Sequence, residues 1–420
     1  MLEKTTYAIF DSPGGKTIVF NNLYFINGEF VFNGYADESE ISTYPNVHYR
    51  HTNFEMWRPV CRELLDEEIE TIETTPYFYL KETMHYHPGH TLMDDIFSMF
   101  YSIYKCGLNY NPFICLLDNK YTELTYDCKG MFSILFGHVA TTLHALNISN
   151  KSICFKTFVI GNGDSGFSSF NHDYVIPYQD NIWRKFRDAF YKKAGIKLGS
   201  GQKQIYINIG GSTEDLDPDL KDTLKINNIN IIDWSKIKTI KSQLEVLKDV
   251  KIYITGDGSG ALNCVFLPDN ATMINLGRVY AIGDYVGVAS CDDSVYPALS
   301  YIDVFYFEDY FPMKIEPKTA RWPTPDSNDL IHLIKSITEA KENDSVMIKR
   351  KEIYDKFASV AIDRIDNGVK LTNFSLNARL FIEHFPEIGE RIKLTESFKG
   401  GNRGFAMCDL IRPFREKLGR

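Results

Sequence analysis

The stretch that most constrains this chain is Lys251 to Gly277, KIYITGDGSGALNCVFLPDNATMINLG, which reads as strand, glycine turn, short helix and second strand. Ile252, Tyr253 and Ile254 form a β-prone run. Gly256, Gly258 and Gly260 then allow the backbone to bend sharply and to approach a ligand closely. Across Gly260 to Leu267 the apolar residues Leu262, Val265 and Phe266 fall at i, i+3 and i+4, one helical stripe, and Pro268 stops the run. Exposed amides at such a helix start, with the positive end of its dipole, favour a phosphate group. Glycine turns between strand and helix also serve plain packing, so turn chemistry alone leaves both roles open.

With 420 residues the chain is too long for one ordinary core and suits two domains of about 200 residues each. Hydrophobic residues at 44% and aromatics at 14% supply ample burial, which excludes a disordered or fibrous chain. The formal net charge of −9 argues against a nucleic-acid partner and leaves small or neutral ligands. No run of about 18 apolar residues occurs, so no transmembrane segment is expected. The first residues lack a positive start followed by an apolar run, so no secretory signal is expected either. Cysteines at positions 61, 106, 115, 128, 154, 264, 291 and 408 form no CxxC pair. That is the pattern of free, buried thiols in a reducing, cytoplasmic setting, with disulfides in a lumenal protein as the alternative.

Lys16 to Phe32 alternates β-rich runs around Asn27-Gly28, which predicts a tight type I′ hairpin with a structural role. Arg62 to Thr75 is acidic and is expected to be a solvated helix. In His85 to Phe100, Pro88-Gly89 breaks the chain; Leu92, Ile96, Met99 and Ile103 then fall at helical spacing, predicting a helix from about His90 to Tyr104. His90 and Asp94 would share one face at i and i+4, while Asp95 turns away by about 100°. Residue chemistry leaves two roles open here. His90 and Asp94 cap and solubilise a helix start, or His85, His87 and His90 approximate the H-x-H-x-D-H zinc motif of metallo-β-lactamase-like hydrolases, with Gly89 where that motif places aspartate.

Helices are further expected at Asn181 to Lys193, Lys241 to Asp249, Asp329 to Ala340 and Ser345 to Val360, and strands at Lys203 to Ile209 and Ile229 to Asp233. Proline-rich Arg321 to Asp326 reads as a boundary.

Several of these segments together resemble glycosyltransferase family 61, from about residue 16 to 310. The segment Asp257, Gly258, Ser259, Gly260, Ala261, Leu262, Asn263, Cys264, Val265, Phe266, Leu267, Pro268 is similar to the family's H-G-A-G-L-T-N-x-x-F-L-P donor-site pattern. Both glycines, the asparagine and the Phe-Leu-Pro ending match. Asp257 replaces the leading histidine, and a carboxylate repels a diphosphate where an imidazole donates to it. His90-x-x-x-Asp94 resembles the family's H-F-x-x-D segment, Cys154, Phe155 and Gly161 its V-C-F strand, and Ser242-Gln243 its E-Q pair. Met273-Ile274-Asn275 stands where the family carries V-x-E, so Asn275 would meet the ribose without charge assistance. Family arginines after the strand at Lys203 to Ile209 are replaced by a turn containing Gly210, Gly211 and Ser212, which leaves the diphosphate to amides, hydroxyls or Arg278.

The resemblance implies an α/β protein of the GT-B type, two Rossmann-like domains facing across a cleft. The division would be an acceptor-side domain over 1–180, a nucleotide-sugar domain over 181–325 and a C-terminal helical segment over 326–420. It implies a metal-independent, inverting glycosyltransferase without cofactor, moving a sugar from a UDP-linked donor to a hydroxyl of a glycan or glycoprotein acceptor. Asp94 would be the base, Asp95 its substitute and His90 an orienting or donor-contacting residue. Gly256, Asp257, Gly258, Ser259, Gly260, Ala261, Asn263, Asn275, Gly210, Gly211, Ser212, Gln243 and Arg278 would bind the donor. Family members in eukaryotes work in the secretory pathway, so the missing signal points to a bacterial or viral cytoplasmic protein, or to a chain cut after its anchor. The departures at Asp257 and Asn275 favour the alternative of an inactive sugar- or nucleotide-binding protein.

Overall fold

The structure is a computed structural model of the chain that describes residues 2–12, 15–43, 56–65, 68–73, 75–79, 88–108, 113–117, 128–137, 141–142, 152–161, 182–201, 204–208, 218–256, 258–282, 285–289, 299, 301–307 and 325–341. The chain divides between Ile176 and Pro177 into two units, each with its own sheet and core.

The first unit opens with β1 (Thr6–Ser12), β2 (Gly15–Ile26) and β3 (Glu29–Asn33). Asn27 and Gly28 take φ of 50° and 86°, and Ile26 faces Glu29 across the turn, as a type I′ hairpin requires. A third left-handed residue, Asn22 with φ of 55°, interrupts the alternation along β2. Ile18 and Phe20 before it therefore share one core with Leu23 and Phe25 after it.

Strands β4 (Val60–Arg62) and β5 (Glu70–Ile72) replace the helix expected over Arg62 to Thr75. Repeated glutamates with no lysine at i+4 give a helix there nothing to offset their repulsion. As strands, the segments pair in parallel with β3 and with β9 (Ile153–Gly161), and Cys61 and Ile72 pack against the core while Glu70 stays exposed. Between β5 and β9 come β6 (Thr75–Tyr79), α1 (Pro88–His90), a π-helical turn Thr91–Ile96, α2 (Phe97–Lys105), β7 (Phe113–Leu117), α3 (Cys128–Phe136) and β8 (Thr141–Thr142). The sheet runs β4-β3-β2-β9-β6-β7-β8, with β1 on β2 and β5 on β9. Its section β8-β7-β6-β9 is parallel and ordered 3-2-1-4 in the chain, the beginning of a doubly wound sheet.

The second unit contains α4 (Ile182–Ala194), β10 (Gln204–Asn208), α5 (Pro218–Ile226), β11 (Ile229–Ile232), a 3₁₀ turn Trp234–Lys236, α6 (Ile240–Leu247), β12 (Val250–Thr255), a 3₁₀ helix Ala261–Phe266, β13 (Thr272–Asn275), β14 (Arg278–Ile282), β15 (Tyr285–Ala289), β16 (Asp303–Tyr306) and α7 (Ser327–Lys341). The sheet order is β11-β10-β12-β13-β16 and every pairing in it is parallel, while β14 and β15 form a separate ribbon. Ile207, Ile252, Ile254, Ile274 and Phe305 face Leu220 and Leu224 of α5 and Leu330, Leu333, Ile334 and Ile337 of α7. Tyr253, alternating with Ile252 and Ile254, points to the other face, which α4 and α6 cover through Tyr191. Burial on both faces explains the near-continuous apolar run of β12. Asp326 caps α7 by accepting from the amides of Asn328 (2.9 Å) and Asp329 (3.4 Å), so this helix starts two residues before the expected Asp329 and belongs to the core of the second unit. The helix expected over Ser345 to Val360 lies outside the described residues.

Candidate functional site

In the second unit the chain leaves β10 for β11 on one side and later returns to β12 on the other. The sheet order in chain terms is thus 2-1-3-4-5, and the switch falls between β10 and β12. Connections leaving neighbouring strands in opposite directions open a crevice beyond their carboxyl ends, where ligands of such sheets bind. In the sequence the first of the two connections carries Gly210, Gly211 and Ser212, which lie outside the described residues; the second loop, after β12, carries Gly256, Gly258 and Gly260, with Asp257 outside the described residues.

The second loop is pinned from beneath by two hydrogen-bond relays. Asn208, at the end of β10, donates from Nδ2 to Thr255 Oγ1 at 3.0 Å, and Thr255 donates to the carbonyl of Gly256 at 2.9 Å. Trp234, just beyond β11, donates from Nε1 to the Tyr253 hydroxyl at 3.0 Å, and Tyr253 donates to the carbonyl of Gly260 at 2.5 Å. Side chains from three adjacent strand ends therefore converge on five residues of loop. A Cβ on Gly260 would stand 2.3 Å from Asn208 Nδ2 and 3.3 Å from Trp234 Cδ1, so glycine is needed there for space. Gly258 is needed for conformation, with φ of 124°. Its carbonyl accepts from the Ala261 amide at 2.8 Å.

The expected helix over Gly260 to Leu267 is the six-residue 3₁₀ helix Ala261–Phe266, and all six side chains are buried rather than one stripe. Phe186 and Phe190 of α4 pack on Phe266, and the Tyr301 hydroxyl donates to Val265 O at 2.6 Å, so the segment is enclosed on sides that a surface helix leaves open. Six residues of 3₁₀ helix carry too short a dipole to fix an anion unaided.

The remaining expected donor contacts are spread unevenly. Ser259 is partly exposed beside Gly258, whereas Ala261 and Asn263 are buried, Asn263 at 7% exposure. Gln243 in α6 donates to the carbonyl of Ile237 at 3.2 Å. Asn275 is fully buried at the end of β13, and its Oδ1 accepts from the Gly277 amide at 2.7 Å, which stabilises the turn after the strand. Arg278 begins β14; its side chain lies outside the described residues.

Residues the sequence did not single out complete the picture. Asn208, Trp234 and Tyr253 shape the loop, and only their register on strands that are distant in the chain brings them together. Asp233 follows β11 directly: its carboxylate accepts from the Ser235 amide at 3.0 Å and the Ser235 hydroxyl at 2.5 Å, and stands 3.2 Å from Lys236 Nζ. The Ser235 hydroxyl foremost, then Lys236, hold its pKa below the usual aspartate value.

Arg187 is the buried arginine among the described residues of this unit, and it lies at the opposite edge. Its guanidinium donates to Leu267 O (3.0 Å), Asp269 (2.7 Å) and Asp188 (2.9 Å) and lies 4.4 Å over the Tyr301 ring. Asp269 and Tyr301 precede β13 and β16, so this arginine braces the amino ends of the strands, away from the glycine loops.

In the first unit, β6 stands at the switch toward β9, and the helix after it begins at Pro88. His90 and Asp94 lie in its first two turns, with side chains outside the described residues; His85 and His87 lie wholly outside them. The turn carrying Asp94 and Asp95 is π-helical, a distortion often found at functional sites. Asp95 does not face solvent: it is 2% exposed among buried Leu92, Met93 and Ile96. Ser98 Oγ, one turn on, is buried without a hydrogen-bond partner among the described residues. No cluster of three metal-ligating side chains occurs among the described residues, and none of their helices is long and apolar enough to cross a membrane.

No protein-family model matches the chain, and no curated protein sequence matches it. Among solved structures, a weak match is the bacterial iron-containing dodecameric glycosyltransferase TibC from enterotoxigenic E. coli H10407. It is 11% identical, with a TM-score of 0.24, and the alignment covers 67% of this chain and 79% of that one.

Proposed function

We propose that the second unit binds a nucleotide at the carboxyl edge of its parallel sheet and that the chain is an inverting glycosyltransferase of the GT-B type using a UDP-linked sugar. The observation that carries the binding reading is the switch point between β10 and β12, with the glycine loop of Gly256, Gly258 and Gly260 at the carboxyl end of β12. The sequence resemblance at Asp257 to Pro268 and at His90 to Asp94 supports the chemistry. An acceptor hydroxyl attacks the anomeric carbon and the new glycosidic bond forms as the bond to the diphosphate breaks. UDP departs, and Asp94 takes the hydroxyl proton. Loop amides around Gly258 to Gly260, with hydroxyls and Arg278, neutralise the leaving charge.

The test is thermal stability against a panel of nucleotides and nucleotide sugars. UDP or a UDP sugar raises the melting midpoint of the wild type, and Gly258→Val removes that response, because a branched side chain cannot hold φ of 124° and fills the space where backbone and phosphate meet. A folded Gly258→Val protein that still responds to UDP would sink the assignment. One observation favours a second reading, nucleotide binding without transfer: Asn275, at the ribose position of the resemblance, is buried and turned to Gly277. Binding of UDP with no turnover of any UDP sugar across an acceptor panel would support it.

A further inference from the structure

We propose that Asn27-Gly28, at the tip of the first hairpin, is a site of spontaneous covalent modification, where Asn27 is converted to isoaspartate, and that the fold protects the same pair at Asn33-Gly34. The proposal stands independently of nucleotide binding. The sequence holds four Asn-Gly pairs, and two of them, on either side of β3, lie among the described residues. In such a pair the glycine nitrogen bonds to the asparagine Cγ as the Cγ–Nδ2 bond breaks, and the departing amide takes up the glycine proton and leaves as ammonia. Water, the one co-reactant, then opens the five-membered imide at either carbonyl carbon. The products are aspartate and isoaspartate, the second with its main chain running through Cβ. Ring closure needs a glycine nitrogen free of hydrogen bonds and an asparagine side chain free to turn onto it.

The two pairs meet these demands differently. Asn27 and Gly28 are both exposed, and among the described residues no group bonds the Asn27 side chain or accepts from the Gly28 amide. A Cβ built on Gly28 meets nothing within 4 Å, so there is room for the ring. Closing it opens only the last pair of the ladder, Ile26 with Glu29. Asn33, by contrast, is 1% exposed. Its Nδ2 donates to Glu3 O at 2.9 Å, its Oδ1 accepts from the Leu64 amide at 2.9 Å, and the Gly34 amide donates to Arg62 O at 3.2 Å. Attack at Asn33 must first break all three bonds, and at about fivefold in population for each net bond the penalty compounds to roughly 100-fold. The product at Asn27 matters to the fold. Isoaspartate adds a main-chain carbon to a two-residue turn whose register depends on φ of 50° and 86°. That register places Phe30, whose ring centre lies 4.9 Å from that of Phe25, 5.4 Å from Trp57 and 5.0 Å from Phe158, so a change at an exposed tip reaches the aromatic core of the first unit.

The experiment incubates the full chain in warm, mildly alkaline buffer, with and without urea, and follows each Asn-Gly pair by peptide mapping, with isoaspartate identified by enzymatic methylation. In the folded protein Asn27 should convert roughly 100-fold faster than Asn33. In urea, where neither side chain is held, the two should react within about threefold of each other. The melting midpoint of the wild type should fall in step with isoaspartate at position 27. Asn27→Gly keeps a turn able to adopt both left-handed angles and has no side-chain amide to lose, so its midpoint should hold through the same incubation. Conversion at Asn27 no faster than at Asn33 in the folded chain overturns the assignment. A contrast that survives in urea overturns it equally, because neighbours in sequence rather than the fold would then be its source. Isoaspartate at position 27 with an unchanged midpoint overturns the effect on the core.

Discussion

Gly260→Ala isolates the close packing beneath the glycine loop. Gly260 has φ of −66° and ψ of −32°, a conformation alanine adopts freely, so any cost is steric. The new methyl would stand 2.3 Å from Asn208 Nδ2, well inside van der Waals contact. Asn208 is 7% exposed and bonded to Thr255, so its amide has little room to retreat without breaking that bond. Overpacking costs about 1–3 kcal/mol and losing a buried hydrogen bond about 1 more, giving roughly 2–4 kcal/mol. Native-state hydrogen exchange of β10 and β12 amides reads this as a loss of protection of about 30- to 1000-fold. In an Asn208→Ala background the obstructing amide is gone, and the same substitution should cost less than about 1 kcal/mol. Coupling near 2 kcal/mol between the two sites is therefore expected. Additive effects, within about 0.5 kcal/mol, would refute the claim that Asn208 is what Gly260 makes room for.

Asp94→Asn should keep the fold and UDP binding and lower turnover of the UDP sugar that the wild type consumes by about 100-fold, the usual scale for a positioned proton acceptor; a wild-type rate would return Asp94 to a helix-capping role. Asp95→Asn, at a buried site, should instead lower the melting midpoint, and a mutant of full stability would show that its surroundings have been misjudged. Sugar transfer should persist in EDTA, and complete loss restored by manganese would redirect attention to Asp217, Asp219 or the His85, His87 and His90 cluster. Burial raises the pKa of Tyr191, Tyr253 and Tyr301, whose hydroxyls donate to backbone carbonyls. Unfolded tyrosines ionise near pH 10 while these stay neutral, so their contribution is whole below about 10 and is lost as pH rises above it. The urea midpoint should fall between pH 9.5 and about 11 together with the appearance of phenolate absorbance, and a flat midpoint over that range would contradict the assignment.

The elements that depend on neighbours in the chain were legible from residues alone. Asn27-Gly28 specifies its hairpin through two left-handed φ angles, and the apolar spacing of Asn181 to Lys193 yields α4 within one residue at each end. Rises and spacings of this kind are short-range, and a local pattern encodes them fully. The glycine loop was legible for the same reason, as a place where the backbone must bend.

What pairs with what is a different matter, because the competitors for a segment lie elsewhere in the chain. The acidic run after Arg62 has helical spacing, yet free edges on β3 and β9 take its ends as strands. Asp95 turns away from Asp94 on any helix, but only the packing around Leu92, Met93 and Ile96 makes that direction an interior one. Arg187 carries a charge opposite to that of a phosphate and is instead enclosed between Tyr301, Leu267 and Asp269 at the far edge of the sheet. The site itself was half visible. Its glycines stand in the sequence, whereas Asn208, Trp234 and Tyr253 gain their roles from the order 2-1-3-4-5, which sets β10 between β11 and β12 and is decided by long-range burial on both faces of the sheet.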